Sequence, residues 1–362
     1  MATRDLYATQ AETECWNVGA QFDSTFVREY ADGRQAVLDL YAEAKQKQWD
    51  GAARIDWSRD LDPENPAQLP DSSIPIFGSD VFQRLTPTEL TALRRHCQSW
   101  RLSQFLHGEQ GALLGAAKIL QQAPMLDAKL NAAVQVVDEA RHVEVYSRLL
   151  HDKFGLVYPV TPALRPLFEN ALSDRRWDMT YLGMQVLVEG MALAAAAQIR
   201  DQSESQLIAS AHAFVMQDEA RHAAVGRSVL RTFYSGLSEA ERDEREEFAV
   251  EAGHILRDRL QAEEVWAAVG LPVDQCAAYV RDSGLMRSYR STLFSRIVPT
   301  MKAIALWGPR IRKAYRDMGV IGFADLDPAA LAAADERVAH QFDLRRSAET
   351  PAPREATSPT QR

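Results

Sequence analysis

Long stretches of the chain repeat their apolar residues every three or four positions, the spacing that gives a helix one apolar face. The segment TPTE opens the longest of these. Thr86 reads as the N-cap, Pro87 as the first helical residue and Glu89 as the partner in a capping box, and the pattern runs to about Gln122, where Ala123-Pro124 ends it. A second helix is expected from about 125 to 153, stopped at Gly155, after which GLVYPVTPALRPLF makes a longer connection. Two more are expected over about 175 to 201 and 206 to 234, joined by the polar turn DQSES. Two helical hairpins linked by a crossover predict a four-helix bundle over residues 86–235.

The flanks read differently. Residues 1–85 combine a helix near 24–49 with WSRDLDPENPAQLPDSSIPIFGSD, whose prolines and Asp/Ser clusters predict an extended surface wrap. Over 236–343, helices near 238–267, 272–281, 285–318 and 328–340 are expected to pad the bundle. The polar tail 344–362 has no large apolar residue after its start and is expected to be disordered. The predicted fold class is all-α, a four-helix bundle with additional peripheral helices.

Composition narrows the partners. Apolar residues make up 46% of the chain and charged ones 25%, with a formal charge of -9, and no run of Lys and Arg interleaved with aromatics advertises a nucleic-acid backbone as partner. The start, MATRDLYATQAETECW, lacks a basic segment followed by an apolar core, and no uninterrupted apolar run spans a bilayer, so no membrane association and a cytoplasmic location are expected. Cys15, Cys97 and Cys276 are far apart and form no C-x-x-C pair, which points to free thiols rather than a disulfide framework or a thiolate iron site.

The chemistry lies in a repeat. VVDEARHVEVY (136–146) and MQDEARHAAVG (216–226) share the pentapeptide DEARH at an offset of 80 residues, and the same offset carries Glu109 in FLHGEQGAL onto Glu189 in VLVEGMAL. Residues i and i+3 share a helix face, so Glu139 with His142, and Glu219 with His222, can each grip one metal. Glu109 and Glu139 stand 15 residues either side of Pro124, and Glu189 and Glu219 stand 15 either side of Glu204, so each pair lies level across its hairpin. All four acids sit on apolar faces, where unpaired carboxylates would cost several kcal/mol each or be driven to protonate. Two divalent metals offset that cost. Carboxylate oxygen with imidazole nitrogen suits iron, with a manganese–iron pair left open. Asp138 and Asp218, just before each ligand glutamate, are placed to accept the outer imidazole N–H, Asp138 from His222 and Asp218 from His142, with Arg141 and Arg221 beside them.

At these residues the chain resembles the ferritin-like di-iron carboxylate superfamily, in particular its oxygenase and oxidase branch. That branch includes bacterial multicomponent monooxygenase hydroxylases, arylamine N-oxygenases and ribonucleotide reductase small subunits. The similarity covers about 100–230. It implies two iron ions as cofactor, O2 and a small organic substrate, a separate reductase or ferredoxin as electron donor, and Glu109 and Glu189 on the reacting side of the site. Dimerisation is expected from the resemblance alone. The function implied is that of an O2-dependent di-iron oxygenase, a hydroxylase or N-oxygenase. An oxidase or peroxidase without oxygen insertion, and an iron-binding ferritin-like protein, remain as alternatives.

Some positions depart from particular relatives. Tyr146, one turn after His142, stands where the reductase subunit carries its radical tyrosine, which makes it a candidate redox residue against the plainer reading of a core tyrosine. The tail lacks that subunit's relay tyrosine. Arylamine N-oxygenases resemble this layout but carry an extra histidine ligand where this chain has Val215. His212 lies two turns before Glu219, roughly 10 Å along the axis, and reads as a core histidine. Leu193 replaces the hydroxyl residue that the toluene and methane hydroxylases present. Gly108, Gly111, Gly115, Gly183, Gly190 and Ala194–Ala197 either line a cavity or allow close helix packing. Trp49 and Trp57 are expected to anchor the N-terminal wrap.

Overall fold

The computed structural model describes residues 16–349 apart from 21, 29, 31, 32 and 259, and among these there is no β-strand. Cys15 and residues 350–362 of the tail lie outside the described residues. The chain enters as extended segments and short helices, α1 (Gln35–Gln46), α2 (Gly51–Arg54) and α3 (Asp80–Gln83). Then come the long α4 (Pro87–Gln122) and α5 (Leu126–Arg148), the latter continuing as a π-helical turn, Leu149–Phe154, that ends at Gly155 with φ 60°. The crossover holds α6 (Arg165–Ser173). The third long helix is continuous over Trp177–Gln202 but changes pitch: α7 (Trp177–Thr180), a π-helical stretch Tyr181–Val188, then α8 (Glu189–Gln202). It is followed by α9 (Gln206–Ser235).

Local chemistry explains the bundle's hinges. Thr86 accepts from the Glu89 amide at 3.3 Å while Glu89 accepts from the Thr86 amide at 2.8 Å, so the capping box that opens α4 is formed from both sides. At the start of α5, Asp127 accepts from the Arg34 amide at 2.9 Å and from its guanidinium at 2.8 Å through both oxygens. That pin fixes the N-terminus of α1 to the bundle. The two hairpins pack along α5 and α9, with α1 laid across both and the helix Pro328–Glu349 along α9.

After the bundle come α10 (Glu239–Asp258), α11 (Glu263–Ala268), α12 (Val273–Asp282), α13 (Gly284–Thr292), α14 (Ile297–Ala303), α15 (Pro309–Asp317) and α16 (Pro328–Glu349). Several boundaries differ from those expected. The first helix begins at Gln35, not near 24, because residues 22–28 run extended along α4, where the Thr25 amide donates to the Gln121 carbonyl at 2.8 Å. The helix expected over 285–318 is broken by Ala305, at φ 65°, and by Gly308-Pro309. The last helix continues to Glu349, past the expected start of a disordered tail at 344, held by Arg54 on Asp343 at 2.7 Å and by Arg59 on Glu349.

The flanks do more than pad. Ile74 and Ile76 of the wrap are buried beside Trp266 and Cys276, and Phe294, Ile297, Val298 and Met301 are buried against the third bundle helix, where Ile297 packs on Gly190. By length and composition Trp177–Gln202 could cross a membrane, but 78% of its apolar window is buried inside the protein, as befits the core helix of a bundle.

Candidate metal centre

The four long helices bring one side chain or pair each to a common level. Two groups of ligand atoms result, each with all its atoms within 4.8 Å of one another: Glu109, Glu139, His142 and Glu219, and Glu139, Glu189, Glu219 and His222. Glu139 and Glu219 belong to both. The arrangement is two-fold: each DEARH copy supplies one histidine and one shared carboxylate, and Glu109 and Glu189 each belong to one group only. All six residues are buried.

The imidazoles point their Nδ1 atoms inward. His142 Nδ1 lies 2.9 Å from Glu219, 3.2 Å from Glu109 and 3.3 Å from Glu139, and His222 Nδ1 lies 3.2 Å from Glu139 and 3.3 Å from Glu219. Their outer Nε2–H groups donate across the bundle, His142 to Asp218 at 3.1 Å and His222 to Asp138 at 3.1 Å. The aspartates are held in turn. Arg141 donates to Asp138 and, at 2.9 Å, to Asp218, while Arg221 donates to Asp218.

Burial and mutual repulsion set the charge state of these acids. Burial pushes the Glu109 carboxyl up to about 8 and that of Glu189 well above its usual range, with the neighbouring glutamates adding to the effect. Burial alone would raise Glu139 too, but the imidazoles of His222 and His142 outweigh it and hold it well below the carboxylate range. Both histidines are raised well above their ordinary value, although burial opposes this, by the carboxylates packed around them. Such a nest of buried carboxylates and imidazoles could hold cations where the two groups converge. Among the described residues, Glu139 Oε2, Glu189 Oε2 and Glu219 Oε1 have no hydrogen-bond donor, which fits oxygens available to metal ions. The donor set, hard oxygen with imidazole nitrogen and no thiolate, fits two iron ions.

A cavity of about 670 Å³ opens onto the centre, lined at its inner end by Glu109, Glu189 and Glu219 and by Gly108, Phe105 and Ala192. The small residues divide between two jobs. Gly108, Ala194, Ala195 and Ala197 line the cavity, whereas Gly111, Gly115, Gly183 and Gly190 meet Phe168, Met184, Ala171 and Ile297 at close range. Tyr146 joins neither group: it is fully buried, stacked on Phe105 at 5.3 Å, and its hydroxyl has no partner among the described residues. His212 donates from Nδ1 to the Ile208 carbonyl at 2.8 Å and sits edge-on to Tyr146, and burial lowers it to about 4. Val215 and Leu193 are core residues.

Sequence reasoning missed several residues that support the centre, Trp49, Gln135 and Gln185 among them. Trp49, expected only as an anchor, donates its indole N–H to Asp218 at 2.7 Å. Gln135 donates to Glu139 at 2.9 Å and to Glu189 at 3.2 Å, and Gln185 donates to Gln135. A signal existed for the glutamines, since each lies one turn before a glutamate of the cluster. None existed for Trp49, which is 169 residues from its partner.

No curated protein matches the chain. The sequence model of the p-aminobenzoate N-oxygenase AurF family matches residues 31–304, which takes in the whole bundle and both DEARH copies. With that match over well more than half of its length, and with a di-metal nest beside a cavity, the chain belongs to this family of di-iron N-oxygenases and is an O2-dependent oxygenase of a small organic substrate.

Proposed function

We propose that the enzyme oxygenates the nitrogen of an arylamine, with Glu109, Glu139, His142, Glu189, Glu219 and His222 as the ligands of its two iron ions. The observation that carries this reading is the pair of ligand groups sharing Glu139 and Glu219 at the inner end of the cavity. The amine is inferred from the family's printed substrate, p-aminobenzoate.

When bound, the iron ions supply the activation of O2. The protein does the rest. Asp218 and Asp138 hold the Nε2–H tautomers, which leaves each Nδ1 lone pair directed at the carboxylate nest, where it would be available to a metal ion. Glu139 and Glu219 belong to both groups and would be the carboxylates common to the two metal positions. Gln135 steadies the Glu189 and Glu139 carboxylates, and Gln185 orients Gln135. Gly108 and Ala192 leave space for a flat ring beside Glu109 and Glu189, and Phe105 and Val188 help keep bulk water away. Inserting one oxygen atom while the other leaves as water takes two electrons, which we assign to a separate reductase or ferredoxin, and two protons, which come from solvent. The free thiols of Cys97 and Cys276 support a reducing, cytoplasmic location. A cavity shaped for an organic molecule beside the centre favours oxygenation over an oxidase or an iron-storage role.

Metal analysis of single variants tests the ligand set. Wild type should hold about two irons per chain. Glu139→Ala, which removes a member of both groups, should hold almost none, and Glu109→Ala, which touches one group, should keep about one. Wild type without stoichiometric metal, or a Glu139→Ala that is more stable and equally loaded, would refute the assignment.

A further inference from the structure

Among the described residues, the cavity's outer part holds one cation with no acid paired to it. Arg101 lines the cavity two turns before Glu109 on the same helix, and its Nη2 donates to the Ser73 carbonyl at 2.8 Å while the guanidinium stands 5.7 Å from the Tyr289 ring. Those contacts hold the group in place but leave its charge unbalanced. Asp71, in the same turn as Ser73, is occupied by Arg94 through both oxygens at 2.7 and 2.9 Å. The other charged residues at the cavity's outer part are also neutralised: Asp201 by Arg200 at 2.6 Å and Arg296 by Asp335 at 2.9 Å. Among the described residues no carboxylate pairs with Arg101, and its Nε–H and Nη1–H groups have no protein acceptor.

We propose that Arg101 is the anion anchor of the substrate cavity and that the substrate carries a carboxylate separated from the oxidised nitrogen by more than one benzene ring. This rests on the reading of the cavity as the oxygenase's substrate site. A guanidinium in a largely apolar pocket matches a carboxylate through two parallel hydrogen bonds. Length follows from the helix: eight residues from Arg101 to Glu109 rise about 12 Å. Both side chains tilt toward the helix N-terminus, so the longer Arg101 does not reach back toward the metals. A single ring with para substituents covers roughly half that span. It would also fill only a small part of the 670 Å³.

Calorimetric titration of the iron-loaded, reduced protein without O2 separates the possibilities. The probes are 4-aminobenzoate, 4'-aminobiphenyl-4-carboxylate and uncharged 4-aminobiphenyl. The biphenyl acid should bind tightest. R101Q should weaken that acid by roughly 10- to 100-fold while leaving 4-aminobiphenyl within about twofold, and R101K, which keeps the charge but not the paired geometry, should fall between. If wild type binds the acid no better than the neutral biphenyl or than 4-aminobenzoate, or if R101Q weakens both biphenyls equally, the anchor is refuted. Should R101Q fail to fold, the wild-type ranking and R101K decide. Product analysis after adding O2 is a separate readout: an acid held by Arg101 but never oxygenated leaves the anchor standing and overturns the N-oxygenase reading.

Discussion

Two glycines one turn apart on α4 should respond oppositely to the same substitution. A Cβ on Gly108 would meet nothing within 4 Å, because it faces the cavity. A Cβ on Gly111 would lie 2.7, 2.9 and 3.1 Å from three carbons of the Phe168 ring. Phe168 is a core residue of α6, 2% exposed, and carbon pairs prefer about 3.5–4.0 Å, so the ring must retreat by about 1 Å into packed neighbours. Alanine in a helix interior gains about 1 kcal/mol over glycine at either site. Overpacking a core costs about 1–3 kcal/mol. Gly108→Ala should therefore stabilise by up to about 1 kcal/mol, and Gly111→Ala should be neutral to about 2 kcal/mol destabilising. The difference between the two cancels the propensity gain and isolates the clash, about 1–3 kcal/mol. Urea unfolding followed by circular dichroism measures it. A difference below about 0.5 kcal/mol would show that α6 yields freely and that the close approach of α4 to the crossover is not a packing constraint.

Two further substitutions probe the centre and the N-terminal pin. Asp218→Asn should lower iron or manganese affinity by roughly 10- to 100-fold in a metal titration, because an amide cannot accept from His142, Arg141, Arg221 and Trp49 together; wild-type affinity would refute the positioning role. Asp127→Asn should destabilise by about 1.5–3 kcal/mol at neutral pH. Burial would raise the Asp127 carboxyl, but its hydrogen bonds from Arg34 prevail and hold it below the ordinary value. A carboxyl depressed in the folded state stabilises above its unfolded value of about 4 and loses that contribution as the pH falls through the folded one. The gap between wild type and Asp127→Asn should thus narrow as unfolding is followed from pH 7 down through the acid range, and a gap that widens there would contradict the pairing.

The sequence alone determined what is local or repeated. The capping box at Thr86, the stop at Gly155 and the two long hairpins depend on contacts within a few residues, and each is written in residue type and spacing. The candidate cluster was legible for the same reason: an E-x-x-H pair is a property of one helix turn, and the 80-residue offset pointed to the two lone glutamates that the fold brings beside it. The tertiary structure decided what joins distant segments. Nothing near Trp49 announces Asp218, and nothing near Ser72, Ser73 or Leu293 announces that they close the cavity over α4 and α8. The helix breaks at Ala305 and Gly308-Pro309 and the extension of α16 to Glu349 were misjudged because chain turns and long-range ion pairs, not periodicity, set those ends. Periodicity reports which face of an element seeks burial. Which partner covers that face, and what space is left between them, depends on side-chain volumes brought together from across the chain, as with Gly111 against Phe168 and Gly108 against open cavity.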